Sequence, residues 1–551
     1  MAKEKLLKVM FLGGVGEIGK NMTALEYGDS IILIDAGMSF PTEDTPGIDL
    51  IVPDISYIKS NKEKLKGIVI THGHEDHIGG LAYVLEEVAA PVYGTAFTLG
   101  VASHKLEERK ISSDCLHVVE ENSSVKIGCF EVEFIKVCHS IAGASALAVS
   151  TPVGTVFVTG DFKMDYTPID GKLTNIERIT KIGSKGVLLM LGESTNVEKE
   201  GHSKSESKVA ASLETLFNTH RENRLIVATF ASNNYRVQTL LNLAGKYGRK
   251  VVFSGRSMKY ISEMAVGINE LTFDPDIVIE PEKANKLPPE KVLVICTGTQ
   301  GEPFSALSKM SQGEFNRISV GVGDTVVLSS SPIPGNERMI YSVINNLYRR
   351  GAEVIYDAMN DIHATGHAFK EELKLMLQMV RPTYFVPVHG EYRHLVKHAQ
   401  LARSVGIPDE RIKIPQLGMT VAVNKKEFKQ LSNIPAGRCF IDGSNLGDNA
   451  DGIIRDRMTL AQEGFVIVFA TVCLKTGEII AGPDIIMRGI TMSESHVEEA
   501  KEAVVQAIKK IDFTTVEDYT DVKTAVRKAL KKFISGCVKQ YPMVVPVIIE
   551  G

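Results

Sequence analysis

Apolar runs of strand length alternate with segments of helical spacing through the first half of the chain. Two of these runs meet at Gly28-Asp29, which is a hairpin signal. Alternating strands and helices are typical of α/β proteins, so the pattern predicts an α/β fold. The predicted strands cover residues 9–12, 22–27, 30–34, 67–70, 125–137 with a turn near 128, 146–150, 156–159 and 187–191.

A second unit begins near Glu198 and repeats the alternation. It resembles a nucleotide-binding-like α/β layer inserted into the first domain, because loops that carry histidine return after Val354. The predicted helices of this unit cover residues 205–219 and 237–247, and its strands cover 225–229, 251–254, 292–296 and 325–328.

The C-terminal part of the chain has a different pattern. Residues 442–451 are rich in Gly, Asn and Asp and are typical of a linker. Strands are predicted at 465–472 and 543–549, and helices at 494–510 and 522–533. These elements predict a small α+β module.

Length, net charge and cysteine content limit the kinds of protein that this chain can be. A chain of 551 residues has room for two or three domains. Its formal net charge is −5, with 62 basic and 67 acidic residues, so any nucleic acid must be bound by a local patch. The seven cysteines are scattered and odd in number, which favours a reducing compartment. With no signal-peptide core and no apolar run of about 18 residues, we expect a cytoplasmic protein without a membrane partner.

The highest density of candidate metal ligands follows the predicted strand at 67–70. His72, His74, Asp76 and His77 fall within six residues of one loop. Imidazole nitrogens and carboxylate oxygens are the ligands of catalytic zinc sites. The spacing is too dense for one tetrahedral ion with an open position, so it predicts parts of two neighbouring metal sites.

Three more candidate ligands follow other predicted strands, and these are His139, Asp161 and His389. We expect His72, His74 and His139 on one zinc ion. Asp76, His77 and His389 would hold the second, with Asp161 bridging. Two such ions can share a hydroxide nucleophile and stabilise charge on a phosphoryl oxygen. Asp35 and Glu75 are candidates for orienting the ligand imidazoles.

Gly14-Val15-Gly16-Glu17-Ile18-Gly19 matches the dinucleotide-binding fingerprint, and Asp35 lies at about the right distance. The fingerprint requires a helix that starts in the loop. A β-hairpin is predicted there instead, so we interpret the loop as a border of the metal cleft.

Later motifs add a family resemblance. His72-Gly73-His74-Glu75-Asp76-His77 resembles the signature of the metallo-β-lactamase superfamily, and Glu193, His367 and His389 lie in stretches similar to motifs A, B and C of the β-CASP nucleases. Over nearly its whole length the chain resembles the bacterial ribonuclease J family. The resemblance implies a four-layer αβ/βα metallo-β-lactamase sandwich, an inserted α/β β-CASP domain and a small α+β C-terminal domain. The implied segments are 1–197 and 357–441 for the sandwich, 198–356 for the insertion, 442–452 for a linker and 453–551 for an oligomerisation domain.

The resemblance also implies an activity. It implies a zinc-dependent ribonuclease with 5′-to-3′ exonuclease and endonuclease activity in RNA maturation, rRNA processing and mRNA decay. Two Zn²⁺ per subunit are implied, with Mn²⁺ or Mg²⁺ able to support an assay, and a hydroxide between them attacks the phosphate. Single-stranded RNA with a 5′-monophosphate is the implied partner, and self-association into dimers or tetramers, also with a paralogue, is implied.

The resemblance assigns roles by residue. Asp76, Glu193 and His367 would be catalytic, with Glu193 and His367 protonating the leaving 3′ oxygen. Asp49 and Asp442 resemble a structural calcium site. The terminal phosphate would bind His363, Ala364, Thr365, Gly366 and His367 with Ser232 and Asn233.

Four positions depart from the family pattern. Glu193 stands where the family more often has Asp, and Thr365 where it usually has Ser. Asn234-Tyr235-Arg236 lacks the usual His before its Arg, and Ile141-Ala142-Gly143-Ala144 replaces a Pro-Asp pair. Two alternatives therefore stay open: an RNA-binding partner subunit of an active paralogue, and a metallo-hydrolase for a small ester or thioester. Candidates for RNA contacts are Lys20, Lys163, Lys204 and Arg236, with Tyr235 and Phe40 for stacking.

Overall fold

The computed structural model describes residues 5–42, 44–333, 336–356, 361–445, 447–514 and 518–551. The chain forms two compact units, one made of Met1–Phe40 with Ile51–Arg438 and the other of Pro41–Leu50 with Cys439–Gly551.

The first part of the chain forms most of two β-sheets, and the predicted hairpin at Gly28-Asp29 is confirmed. The elements in chain order are β1 (Leu7–Gly13), β2 (Val15–Gly16), β3 (Met22–Tyr27), β4 (Ser30–Ile34), β5 (Leu50–Pro53), α1 (Ser56–Ser60), β6 (Leu65–Val69), α2 (Glu75–Ile78), α3 (Leu81–Glu87), β7 (Val92–Gly94), α4 (Ala96–Glu108), β8 (Leu116–Val118), β9 (Ser124–Ile127), β10 (Phe130–Lys136), β11 (Ser145–Thr151), β12 (Gly154–Val158), α5 (Ile176–Lys185) and β13 (Val187–Glu193).

An inserted segment follows β13, and the chain then returns to the two sheets. The inserted elements are α6 (Glu206–Thr219), β14 (Arg224–Ala228), α7 (Asn234–Tyr247), β15 (Lys250–Ser254), α8 (Arg256–Gly267), α9 (Pro281–Ala284), β16 (Val292–Cys296), α10 (Ala306–Gln312), β17 (Asp324–Leu328), α11 (Glu337–Arg349) and β18 (Glu353–Tyr356). The returning elements are α12 (Lys370–Val380), β19 (Pro382–Val388), β20 (Gly390–Glu391), α13 (Tyr392–Ser404), β21 (Thr420–Val423) and β22 (Phe428–Leu431).

The two large sheets face each other and carry helices on their outer faces. Their strand orders are β22-β21-β1-β3-β4-β6-β7-β8 and β19-β13-β12-β11-β10-β9. One apolar core, with Phe11, Phe134 and Leu189 fully buried, lies between the sheets. A second core packs α5, α12 and α13 on the outer face of the second sheet, and α2, α3 and α4 cover the first sheet. This layering is the expected four-layer αβ/βα sandwich.

The inserted segment forms its own parallel sheet, in the order β15-β16-β14-β17-β18. Helix α7 shows why the local sequence folds as it does. The side chain of Asn233 accepts a hydrogen bond from the Arg236 amide at the start of the helix, and Gly248 ends it in the left-handed conformation. One apolar core packs α10 and α11 against the sheet, while α6, α7 and α8 pack on the core shared with the sandwich.

The second unit contains the small C-terminal α+β module. The elements are β23 (Arg438–Asp442), β24 (Ser444–Asn445), α14 (Ala450–Glu463), β25 (Phe465–Val472), β26 (Ile479–Arg488), α15 (Glu494–Lys509), α16 (Tyr519–Val538) and β27 (Met543–Glu550). Residues 442–452, expected as a linker, include a hairpin and the first residues of α14, while Leu446 lies outside the described residues. The predicted strands at 465–472 and 543–549 and the two predicted helices are confirmed.

Within the described part of the chain, no helix has both the length and the apolar character needed to cross a membrane. All seven cysteines are free thiols.

Candidate metal centre

The candidate ligands lie where strands of the two sheets end. In the first sheet, β4 and β6 are parallel neighbours, and Asp35 and His72 follow them. In the second sheet β12, β13 and β19 are parallel neighbours. Because parallel strands end at the same edge of a sheet, Asp161, Glu193 and His389 come together there. Strand β10 runs in the direction of β12, two strands away, and places His139 at this edge as well.

Three imidazoles form the first ligand group. His74 Nδ1 lies 3.1 Å from His72 Nε2 and 3.0 Å from His139 Nε2. A tetrahedral zinc ion with ligands at about 2.0–2.1 Å separates its ligand atoms by about 3.3–3.4 Å. The three converging nitrogens therefore form a group that could hold one metal ion.

The protonation state of this group suits metal binding. Burial and the neighbouring imidazoles hold the pKa of His72 and of His139 well below the ordinary range, and burial lowers the pKa of His74 to about 4. Neutral imidazoles offer a lone pair to a metal. The other ring nitrogens are oriented by neighbours, since His139 Nδ1 donates to the Gly366 carbonyl at 2.6 Å and His72 Nδ1 lies 3.1 Å from Thr71 Oγ1.

The second group contains Asp76, His77, Asp161 and His389. Asp76 Oδ2 lies 3.5 Å from His77 Nε2 and 3.2 Å from His389 Nε2. Asp161 Oδ2 lies 3.3 Å from His77 Nε2 and 3.6 Å from His72 Nε2. The same carboxylate oxygen of Asp161 therefore lies near imidazoles of both groups.

Charges are closely coupled in this second group. Burial alone would raise the pKa of Asp76, but His77 and His389 hold it well below its usual range. Burial would lower the pKa of His389, yet Asp161 and Asp76 raise it to about 10. Burial would also lower the pKa of His77, which Asp161, Asp76 and Asp35 raise well above its ordinary value. Carboxylates and histidines buried this closely attract each other strongly, and a divalent cation would take the place of the protons.

Two side chains outside the ligand groups contact the two ring nitrogens of His77. Asp35 Oδ2 lies 2.7 Å from His77 Nδ1, and the Thr71 hydroxyl donates to the same carboxylate. The Asn21 amide lies 3.1 Å from His77 Nε2 and donates to the Asp76 carbonyl, also at 3.1 Å. The predicted orienting role of Asp35 is thus supported. Glu75 instead pairs with Lys105 at 2.6 Å and is about half exposed.

Glu193 and His367 lie beside the second group. Glu193 Oε2 is 3.2 Å from His367 Nδ1, and Glu193 Oε1 accepts a hydrogen bond from the Phe162 amide. Burial would lower the pKa of His367, but Glu193 and Asp161 raise it above the ordinary value. Glu193 therefore holds the Nδ1 side of the His367 ring.

The segment 362–367 lies against the metal-binding groups. Gly366 supplies the carbonyl that orients His139, and the Thr365 hydroxyl accepts hydrogen bonds from the His367 amide and from Asn196. Asn196 was not singled out by the sequence, although it lies in the motif around Glu193. His363 is half-buried and Ala364 is buried.

Ser232 and Asn233 lie at the start of α7, at the carboxyl edge of the inserted parallel sheet. Asn233 caps the helix with its side-chain oxygen, and Ser232 is half-buried. The Arg236 guanidinium in the first turn of α7 donates to the Ile362 carbonyl at 2.9 Å. Arg236 therefore connects the start of α7 with the segment 362–367, the two stretches predicted to bind the terminal phosphate.

Several expected RNA contacts are contradicted by burial. Lys20, Lys163 and Arg236 are each 1% exposed, so none presents a charge at the surface. Tyr235 is also buried, because α7 packs it into the core. Lys204 remains at the surface and pairs with Asp361 at 2.7 Å, and Phe40 is exposed.

The aspartates predicted for calcium already have partners. Asp442 accepts a hydrogen bond from the Arg457 guanidinium, which also donates to the Gly47 carbonyl at 2.8 Å. Asp49 Oδ2 accepts from the Gly443 amide at 2.7 Å.

The glycine-rich loop at 14–19 borders the metal centre and does not start a helix. Gly14, Gly16 and Gly19 have positive φ, and the Gly14 carbonyl accepts a hydrogen bond from the His389 amide at 2.8 Å. The strand β3 follows, so the interpretation of this loop as a cleft border is confirmed and the dinucleotide fingerprint is incidental.

Two cavities are relevant to the choice of site. One of about 470 Å³ is lined by residues of 121–122, 136 and 164–177, none of which is a candidate ligand. A smaller one of about 40 Å³ is lined by Asn21, Asp35, His77, Asp161, Glu193 and His389. We assign the chemistry to the smaller cavity, because the converging ligand atoms lie there.

The chain is similar to known protein families. Four family models match the chain: "Metallo-beta-lactamase superfamily" over residues 15–186, "Ribonuclease J, beta-CASP domain" over 222–347, "Zn-dependent metallo-hydrolase RNA specificity domain" over 351–415 and "Ribonuclease J C-terminal domain" over 452–551.

Curated relatives match over most of their length. A ribonuclease J of Synechocystis sp. is 41% identical over 88% of this chain and 76% of its own. A ribonuclease J of Thermus thermophilus is 36% identical, covering 99% and 95%, and ribonuclease J2 of Bacillus subtilis is 35% identical, covering 99% and 98%. Among solved structures, a protein of unknown function from Enterococcus faecalis has a TM-score of 0.54 at 16% identity, over 76% of this chain and 100% of that one. That likeness concerns the fold alone.

Proposed function

The chain belongs to the ribonuclease J family and is a metal-dependent ribonuclease, and from this premise we propose that it is a 5′-to-3′ exonuclease and endonuclease that holds two zinc ions per subunit. The observation that carries the proposal is the pair of ligand groups that share Asp161 Oδ2, directly beside the segment 362–367. This is a hydrolytic centre within reach of a phosphate pocket.

The seven donors divide between the two ions as their distances suggest. His72, His74 and His139 would hold one ion, and Asp76, His77 and His389 the other, with Asp161 between them. When bound, such ions supply a water-derived nucleophile at neutral pH and stabilise negative charge on the phosphoryl oxygens. Manganese or magnesium would support the same chemistry in an assay. Asp35 and Gly366 keep the imidazoles of His77 and His139 in place.

The terminal nucleotide would be selected by groups that donate to phosphate. The Thr365 and Ser232 hydroxyls, the Asn233 amide, the imidazoles of His363 and His367 and the backbone of Ala364 and Gly366 are of this kind. A phosphate fixed there would place the next phosphodiester at the metal centre, so mononucleotides would leave one at a time.

His367 would protonate the leaving 3′ oxygen through Nε2, since Glu193 holds its Nδ1. This role explains why the pair lies beside the second ligand group. Asp76 contributes as a ligand.

The C-terminal module would serve self-association into dimers or tetramers. One face of the sheet around β25 packs on α15 and α16. The other face carries apolar side chains in register, with Ile467 opposite Ile486 and Val545, and both of these partners are exposed. An apolar sheet face of this kind is typical of an interface. Association with a paralogue would use the same face.

Three further expectations remain proposals. The segments 1–197 and 357–441 would form the metal-binding domain, 198–356 the β-CASP domain, 442–452 the linker and 453–551 the oligomerisation domain. Calcium at Asp49 and Asp442 would have to compete with Arg457 for the Asp442 carboxylate. Substrates in rRNA processing and mRNA decay would place the enzyme in the cytoplasm.

The test compares two end-labelled single-stranded RNAs, one with a 5′-monophosphate and one with a 5′-triphosphate. The wild type should release mononucleotides stepwise from the monophosphate RNA, and an Asp76→Ala, His77→Ala double variant should not. The matched control is Asp114→Ala, His117→Ala, which removes the same residue types at exposed positions. Equal internal cutting of both RNAs would refute the terminal pocket. No cleavage by a zinc-loaded wild type would refute the nuclease and favour a partner subunit.

A further inference from the structure

A chain of buried charges connects the metal-binding segment with the segment of the terminal pocket. Lys163, Glu206 and Arg236 are exposed by 1%, 4% and 1%. Lys163 Nζ lies 3.3 Å from Asp165 Oδ2 and 3.9 Å from Glu206 Oε1. Glu206 Oε2 accepts from Arg236 at 2.8 Å. The charges therefore form one continuous series.

The guanidinium of Arg236 donates hydrogen bonds to a carboxylate on one side and to backbone carbonyls on the other. Nε and Nη2 donate to Glu206 Oε2, at 3.3 Å and 2.8 Å. Nη1 donates to the backbone carbonyls of Ser329 and Ile362, at 3.2 Å and 2.9 Å. Arginine presents several donors in a fixed plane, which a lysine cannot reproduce. Buried charges are costly unless they are paired in this way.

The two ends of the series are attached to the two parts of the site. Lys163 follows Asp161, the bridging ligand, by two residues. Ile362 directly precedes His363, the first residue of the proposed pocket. Between them, Glu206 begins α6 and Arg236 lies in the first turn of α7, and both helices belong to the inserted domain. A shift of Arg236 would therefore move the pocket segment relative to the metal centre.

We propose that Arg236 and Glu206 are a positioning pair that sets the distance between the terminal-phosphate pocket and the metal centre. This proposal rests on the proposed function. The pair does not touch RNA. It fixes the Ile362 carbonyl, and thereby the pocket residues, at the spacing that brings the first phosphodiester of a 5′-monophosphate RNA to the metal ions. Selectivity for the 5′ end depends on this spacing, whereas hydrolysis itself depends on the ligands.

The test uses the full-length zinc-loaded protein and the variants Arg236→Lys and Glu206→Gln, which keep size and most of the packing. For each, kcat/KM is measured on two otherwise identical RNAs, one with a 5′-monophosphate and one with a 5′-hydroxyl. The ratio of the two values should fall about tenfold to a hundredfold in Arg236→Lys, because a displacement of about 1 Å has effects of that size. Glu206→Gln should lower the ratio in the same direction.

The matched control is Arg224→Lys. Arg224 also forms a largely buried ion pair, with Asp324. It lies at the amino end of β14, away from the pocket. The ratio of kcat/KM on the two RNAs should be the same in Arg224→Lys and in the wild type. A general structural defect lowers both kcat/KM values together and leaves their ratio unchanged. The positioning role would therefore be overturned if the ratio did not change in Arg236→Lys and Glu206→Gln. A wild type without any preference for the monophosphate would instead refute the proposed pocket.

Discussion

The Nδ1 atom of His77 lies 2.7 Å from Oδ2 of Asp35. Asp35 reaches this position in the left-handed backbone conformation, with φ of 62°. Such a conformation costs about 1–3 kcal/mol in a residue other than glycine, and it is kept where the surrounding structure demands it. The hydrogen bond fixes the ring so that Nε2 faces the second ligand group.

Replacing Asp35 by Asn should weaken metal binding without removing a ligand. The variant loses the charged acceptor that orients His77, and such losses lower metal affinity by about tenfold to a hundredfold. Competition with a chromogenic zinc chelator measures this directly. Asp29→Asn, at the exposed turn of the first hairpin, is the matched control and should bind zinc like the wild type. Equal affinity of Asp35→Asn and the wild type would contradict the orienting role.

Gly366→Ala should damage the first ligand group. A Cβ atom on Gly366 would lie 2.5 Å from two ring atoms of His139 and 2.7 Å from Ser140 Oγ, so the ring or the segment must move. We expect fewer zinc ions per chain by elemental analysis and a loss of RNA cleavage of about tenfold or more. Gly245→Ala in α7 is the control, since a Cβ there meets no atom within 4 Å. Full zinc content in Gly366→Ala would show that the site accommodates the methyl group.

The proposed general acid can be tested through the leaving group. His367→Ala should slow cleavage of ordinary RNA by about 10²–10⁴-fold, because the 3′ oxygen leaves poorly without a proton. A substrate with a bridging 3′ sulfur needs no such proton, so its cleavage should be much less affected. Glu193→Gln should follow the same pattern more weakly. An equal loss on both substrates would assign the pair an orienting role.

Glu26 should contribute a pH-dependent part of the stability. Burial would raise the pKa of Glu26, but the Tyr57 hydroxyl, Lys8 and Lys64 lower it below its ordinary value of 4.5. The contribution is therefore complete above pH 4.5 and is lost as the pH falls through the lower folded-state pKa. The urea midpoint of the wild type should exceed that of Glu26→Gln at neutral pH, and the difference should shrink below pH 4.5.

The exposed carboxylate of Glu63 provides the control for this comparison. Glu63→Gln should shift the midpoint little at any pH. Comparing variants at the same pH cancels effects common to all of them, including protonation of the histidines. A difference for Glu26→Gln that grows on acidification would have the wrong sign.

The convergence of the candidate ligands could be predicted because it depends on a rule of topology. Each ligand follows a buried apolar run, and runs of that kind become neighbouring strands whose ends share one edge. Asp161 follows β12 and His389 follows β19, and both strands flank β13, so these ligands had to meet. The close spacing of His72, His74, Asp76 and His77 in one loop then indicated four further candidate ligands.

The roles of the charged residues could not be predicted in the same way. Lys163 and Arg236 resemble surface charges in the sequence, because nothing local marks them as buried. Their burial comes from α6 and α7 packing against the segments around Asp165 and Ile362. The same limit applies to Asp442, whose partner Arg457 lies in the unpredicted helix α14.

The register of β13 with β19 has a consequence for the order of synthesis. Glu193 lies opposite Val388, so the last ligand, His389, is added only after the whole inserted domain has been made. A chain still being translated holds the first histidine group but cannot complete the second. On the proposed ligand assignment, a chain still on the ribosome should therefore cleave no RNA until the segment that carries His389 has emerged.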